Sequence, residues 1–119
     1  MKFLMAIYGN EEKWASIDPD RFADIIGRTD AHNAALKDSG ELLGAYGVAD
    51  QAQATRVRLE GGTTVVTDGP YIETKEYLGS IYLVDCDSIE RAREIAAEMP
   101  SAEFTDIEIR PLMHGDAED

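Results

Sequence analysis

The sequence predicts an α+β fold: a ferredoxin-like βαββαβ antiparallel sheet with an inserted β-hairpin. Three observations predict it. Met1–Tyr8 and Leu78–Asp85 are short runs that are apolar on both faces, the pattern of strands at the centre of a sheet. Two segments with apolar residues at helical spacing, opened by Asp18-Pro19 and by Asp87, each follow one of those runs. Two further strand-like runs, Ala54–Leu59 and Thr63–Thr67, are joined across Glu60-Gly61-Gly62, a hairpin signal. Without the hairpin the order is that of the split βαβ motif, which centres the first strand and the strand before the second helix.

Each element has its own local reason. In Met1–Tyr8, Phe3, Met5 and Ile7 point to one side, and Leu4, Ala6 and Tyr8 to the other. Asp18 is placed to cap the first helix and Pro19 to open it, where a missing N–H costs nothing. Phe22, Ile25, Ile26, Thr29, Asn33 and Leu36 recur at helical spacing, and Gly40 ends the run. A second strand covers Glu41–Tyr46, and Gly47–Gln53 is a loop. In the second helix Asp87 and Glu90 have capping-box spacing. Ile89, Ala92, Ile95, Ala96 and Met99 form its apolar stripe, and Pro100 stops it. The last strand, Thr105–Arg110, alternates cleanly, as an edge strand does.

Two helices cover only one face of a four-stranded sheet. Leu4, Ala6, Leu78, Tyr82 and Val84 are expected on one side, and Phe3, Met5, Ile7, Ile81 and Leu83 on the other. Both sets favour leaving water, at about 1.5–3 kcal/mol for each large side chain. A second copy packed sheet to sheet is the simplest cover, so a homodimer through the sheet face is expected; the inserted hairpin is the alternative cover.

At 119 residues the chain is the size of one domain. The domain is expected over residues 1–113, with an acidic tail at 114–119. A net charge of −13 argues against nucleic acid, whose binding needs Lys and Arg on phosphates, and against an anionic membrane surface. No apolar run approaches a membrane span, and Phe3–Tyr8 is too short for a signal sequence. A cytoplasmic protein is expected. Its single cysteine, Cys86, closes a strand and reads as a buried thiol.

The stretch "TVVTDGPYIETKEYLGSIYLVD" places ten polar-rich residues between two strands, where a hairpin needs two to five. Its core, D-G-P-aromatic-x-E-S/T-K-E, with the opening "MKFLMAIYGNEE" and the closing "EIRPLM", resembles the DGPF group of YCII-related proteins over nearly the whole chain. Tyr71 stands where that group usually has Phe. The resemblance implies the fold of the dimeric α+β barrels. It also implies links of some members to extracytoplasmic-function sigma factors, and relatives that include a dehydrochlorinase with a proposed His–Asp pair. That histidine would align near Thr29, so this chain departs from the pair.

Read from the residues, Asp68-Gly69-Pro70 suits a rigid Asx-type turn, and Glu73-Thr74-Lys75-Glu76 suits a solvated loop. A long loop at the end of central strands also suits a site. The catalytic candidates are Asp68 and Glu73 as general base and Lys75 as anion stabiliser, with Lys75 turned inward to meet Asp68. The substrate-binding candidates are Tyr8, His32, Tyr71 and Tyr77; a structural role inside its helix is the simpler reading of His32. Two isolated histidines give no metal spacing, and no phosphate or dinucleotide fingerprint is present, so neither metal nor cofactor is expected. Two function classes stay open, beside a stress-linked scaffold with no ligand at all. One is a small-molecule-binding protein or cofactor-free acid–base enzyme; the other is a non-catalytic regulatory partner, linked to a sigma factor.

Overall fold

β1 (Lys2–Gly9) runs antiparallel between β5 (Tyr77–Asp85) and β6 (Ile107–Pro111), and β2 (Leu42–Gly47) borders β5, giving the order β2-β5-β1-β6. The two strands that are apolar on both faces are the central ones. The computed structural model describes residues 1–72 and 74–116. β3 (Thr55–Glu60) and β4 (Thr63–Asp68) form a separate two-stranded arm that pairs with no other strand among the described residues. Gly61 and Gly62, with φ of 55° and 81°, supply the two positive torsions that a tight hairpin turn requires.

The described residues also form three α-helices: α1 (Glu11–Ala15), α2 (Pro19–Asp38) and α3 (Ile89–Glu98). α1 was not expected from the sequence. Asn10 caps it by accepting from the N–H groups of Glu12 and Lys13 at 2.9 and 3.3 Å. Its Trp14 packs edge-on against Phe22 and Phe104, so Phe22 serves this contact and is not buried in the sheet core. Asp18 Oδ1 accepts from Arg21 N at 2.8 Å, as its position predicts. The cap of α3 is Ser88, one residue after the expected Asp87, because Ser88 adopts the extended conformation and accepts from Arg91 N at 3.1 Å.

The strand register corrects the expected division of faces. Phe3 lies opposite Val84 and Met5 opposite Tyr82, so these four share the helix side. With Ile7, Leu36, Ala92, Ile95 and Met99 they form the core. Leu4 lies opposite Leu83 and Ala6 opposite Ile81, so Ile81 and Leu83 belong to the other face. That face remains apolar, with Leu78 and Tyr46 exposed beside it, and no helix among the described residues covers it. The molecule measures only 20 Å in its thinnest direction, the depth of one sheet and one helix layer. Cys86 is buried as expected, and burial pushes its thiol up.

The arm also has two unlike sides. Val57, Leu59 and Val66 project from one side and are exposed. Arg56, Val65 and Thr67 on the other are half-buried.

Candidate functional site

Where the arm meets the end of the sheet, the chain forms an open cavity of about 680 Å³, with Tyr71 at its rim 84% exposed. Tyr8 and Leu78 form its sheet side, directly opposite each other in the β1–β5 ladder. The register slips here between Ile7 and Tyr8, and Gly79 is the residue passed over. A Cβ on Gly79 would come within 3.4 Å of the Ile7 carbonyl oxygen, so the close approach of the two strands suits glycine. Val48, Asp50 and Arg56 bound a second side, and Pro70, Tyr71 and Ile72 a third.

The loop between β4 and β5 is eight residues, 69–76, two fewer than expected, and Pro70, Tyr71, Ile72, Thr74 and Glu76 of it line this cavity. Gly69 turns the chain with φ +98° and donates its N–H to the Ala54 carbonyl at 2.7 Å. Gln51 Nε2 donates to the Thr74 carbonyl at 3.2 Å, and the Thr74 hydroxyl donates to the Glu76 carbonyl. Asn10 Nδ2 donates to Glu76 Oε1 at 3.1 Å, tying the loop's end to the cap of α1.

The tyrosines come together as the sequence suggests. Tyr8, Tyr71 and Tyr77 all line the cavity. Tyr8 donates its hydroxyl to Glu108 Oε1 at 3.2 Å. The Tyr77 ring lies so close over Gly9 that a Cβ there would stand 2.9 Å from its Cε2. Burial, followed by the charges of Glu11 and Asp50, pushes the Tyr77 phenol up, so it stays a neutral donor.

The other candidates lie elsewhere. Asp68 is exposed and lies opposite Thr55, on the arm side that carries Val57, so its carboxylate faces away from the Arg56 side. No Asx bond forms: the turn is held by Gly69 and Ala54, and the Asp68 side chain makes no hydrogen bond among the described residues. Lys75 lines a neighbouring cavity of about 250 Å³ with Glu11, Glu12 and Tyr77. No Asp68–Lys75 ion pair exists among the described residues, because strand alternation turns Asp68 outward. His32 donates Nε2–H to the Ile95 carbonyl at 3.2 Å, joining α2 to α3 and standing outside the cavity. Glu73 lies outside the described residues. Among the described residues no group of three or more His, Cys, Asp or Glu is placed to hold a metal. No helix among them is long and apolar enough to cross a membrane.

Sequence reasoning missed Arg56, Asp50 and Glu76 as cavity residues. Glu76 was legible only as a loop charge, and Arg56 as one polar position in an alternating strand.

The YCII-related domain matches residues 1–114, nearly the whole chain. The chain belongs to the YCII-related family. An uncharacterised protein of Rhizobium meliloti (strain 1021) is 27% identical to it over 114 residues, covering 94% of this chain and 92% of that protein. Among solved structures, this YCII-related chain is similar to 5-chloro-2-hydroxyhydroquinone dehydrochlorinase (TftG) from Burkholderia phenoliruptrix AC1100, solved in complex with 2,5-dihydroxybenzoquinone. The TM-score is 0.51 at 15% identity, covering 97% of this chain and 96% of that one. That likeness is one of fold, and the expected class, that of the dimeric α+β barrels, stands.

Proposed function

We propose that this protein binds a small flat molecule in the cavity between arm and sheet and performs cofactor-free acid–base chemistry on it. The observation that carries the reading is the cavity itself: apolar and aromatic walls with a few convergent polar groups, the usual make-up of a ligand site. Tyr8, Tyr71 and Tyr77 are its walls. Glu76 is the carboxylate placed to accept a proton, since it lines the cavity and is steadied by Asn10. Lys75 contributes from the adjoining cavity, behind Tyr77. The fold is one on which a known enzyme handles a hydroxylated ring, which supports a ligand of that shape. The D-G-P-aromatic string supports placing the chain in the DGPF group. A single buried thiol suits a cytoplasmic setting.

The active form in this reading is a homodimer joined through the uncovered face of Leu4, Ala6, Ile81 and Leu83. Titration with 2,5-dihydroxybenzoquinone followed by amide NMR tests the site. Shifts centred on Tyr8, Tyr71 and Leu78 are expected, and unmoved resonances there would remove the reading.

The exposed row Val57, Leu59 and Val66 favours a second reading, a non-catalytic regulatory partner that docks on the arm. An extracytoplasmic-function sigma factor added to the labelled protein would then shift the arm's resonances and leave the cavity's unchanged.

A further inference from the structure

We infer that Arg56 is the anion anchor of the cavity and that the ligand is an aromatic monocarboxylate; the inference rests on the ligand-site reading above. Two arginines of the described chain, Arg56 and Arg91, are half-buried. Arg91 is fully engaged, with Glu41 and Glu94 at 2.9 and 3.1 Å. Arg56 makes no ion pair and no hydrogen bond among the described residues, and its Nε is buried without a partner. This is anomalous in a chain with 24 acidic residues and 11 basic ones. A buried donor without an acceptor is costly, and native proteins rarely leave one without a water, an ion or a ligand to accept from it.

The carboxylates nearby do not fill the role. Asp50 lines the same cavity, but its Oδ1 caps the following turn by accepting from Ala52 N at 2.8 Å. Glu76 Oε1 is taken by Asn10. A guanidinium offers Nε–H and Nη–H side by side, the fork that a carboxylate accepts edge-on. In this reading the Arg56 head, which lines the cavity, turns that edge to the ligand, and the orphaned Nε–H gains its acceptor.

The rest of the lining selects the remainder of the ligand. Tyr8, Tyr71, Tyr77, Pro70 and Leu78 present flat and apolar surface to a ring. Charge limits the valence. Among the described lining residues one cation, Arg56, stands with two carboxylates, Asp50 and Glu76, so a dianion such as a phosphate monoester meets more repulsion than a single carboxylate does.

The test compares benzoate with its neutral isostere benzamide on the intact protein, by amide NMR titration, for the parent, Arg56→Lys and Arg56→Met. The expected result is benzoate binding at least tenfold tighter than benzamide, with shifts at Arg56, Tyr71 and Leu78. Arg56→Met should erase that preference by weakening benzoate far more than benzamide, and Arg56→Lys should restore only part of it, since an ammonium lacks the fork. Equal affinity of the parent for both probes would overturn the Arg56 assignment while the ring site survives. Binding of neither would remove both the assignment and the site. Sedimentation of Arg56→Met supplies the remaining check: conversion of a dimer to monomer would show that a second copy supplies the acceptor, and would also overturn the inference. Phenyl phosphate binding as tightly as benzoate would overturn the choice of a monoanion.

Discussion

Arg91 grips Glu41 side-on, with Nε 2.9 Å from Oε2 and Nη2 2.9 Å from Oε1, and so ties α3 to the start of β2. Ser39 adds a third donor at 2.8 Å. The guanidinium first, and then the hydroxyl, hold the Glu41 carboxyl down at about 2, below its ordinary 4.5. A carboxyl with a depressed folded value stabilises the fold above its ordinary value and loses that contribution as pH falls towards the folded one. The parent should therefore lose melting temperature between about pH 4.5 and 2 in excess of the Glu41→Gln variant. Parallel melting curves for the two proteins across that window would show that the pair adds nothing.

Gly9→Ala separates stability from site geometry. The new methyl would meet the far end of the Tyr77 ring, which can swing away, so the stability loss should stay under about 1 kcal/mol. The displaced ring leaves its buried position. Its phenol should then titrate closer to the ordinary 10, read by ultraviolet absorbance, and ring ligands should bind several-fold more weakly.

Leu83→Asp and Val84→Asp should behave oppositely although they are neighbours. Val84 is fully buried among Phe3, Met5 and Ile95, so an aspartate there should unfold the protein. Leu83 faces the uncovered side. Its aspartate should give a folded monomer in sedimentation equilibrium where the parent is a dimer. A parent that sediments as a monomer would remove the sheet-face dimer altogether.

At the base of the arm, Asp68→Ala should change stability by no more than about 0.5 kcal/mol, because the exposed carboxylate bonds nothing among the described residues. Gly69→Ala should cost about 1 kcal/mol or more, since φ +98° strains any residue with a Cβ. Chemical denaturation of the two variants checks the order.

The central strands, the arm and the longer helices were legible because each rests on a local signal: two-sided apolarity, a Gly-Gly turn, a proline after a cap. The allocation of faces was not. Alternation tells which residues of one strand share a side, but only register tells which side of the next strand matches them. That is why Tyr82 and Val84 were grouped with Leu4, and why an inward Lys75 was expected to meet Asp68. The Arg91–Glu41 clasp and the orphaned Arg56 joined no local pattern at all. Each is defined by what lies across space from it, and in the case of Arg56 by what does not. The tyrosines were legible because aromatic residues beside strand ends have few places to go.

The arm sits wholly inside the stretch of chain that β1 and β5 must close when they pair. Pairing Gly9 with Tyr77 is a distant encounter, whereas β3 and β4 meet across two glycines. Hairpins form in about 1–10 μs, before such distant strands meet. An arm already zipped brings Thr55 to Asp68 and removes the residues between them from the loop still to be closed. The arm thus acts as a splint during folding: a slack turn in place of Gly61-Gly62 would slow the search for the native sheet while leaving the finished sheet as stable as before.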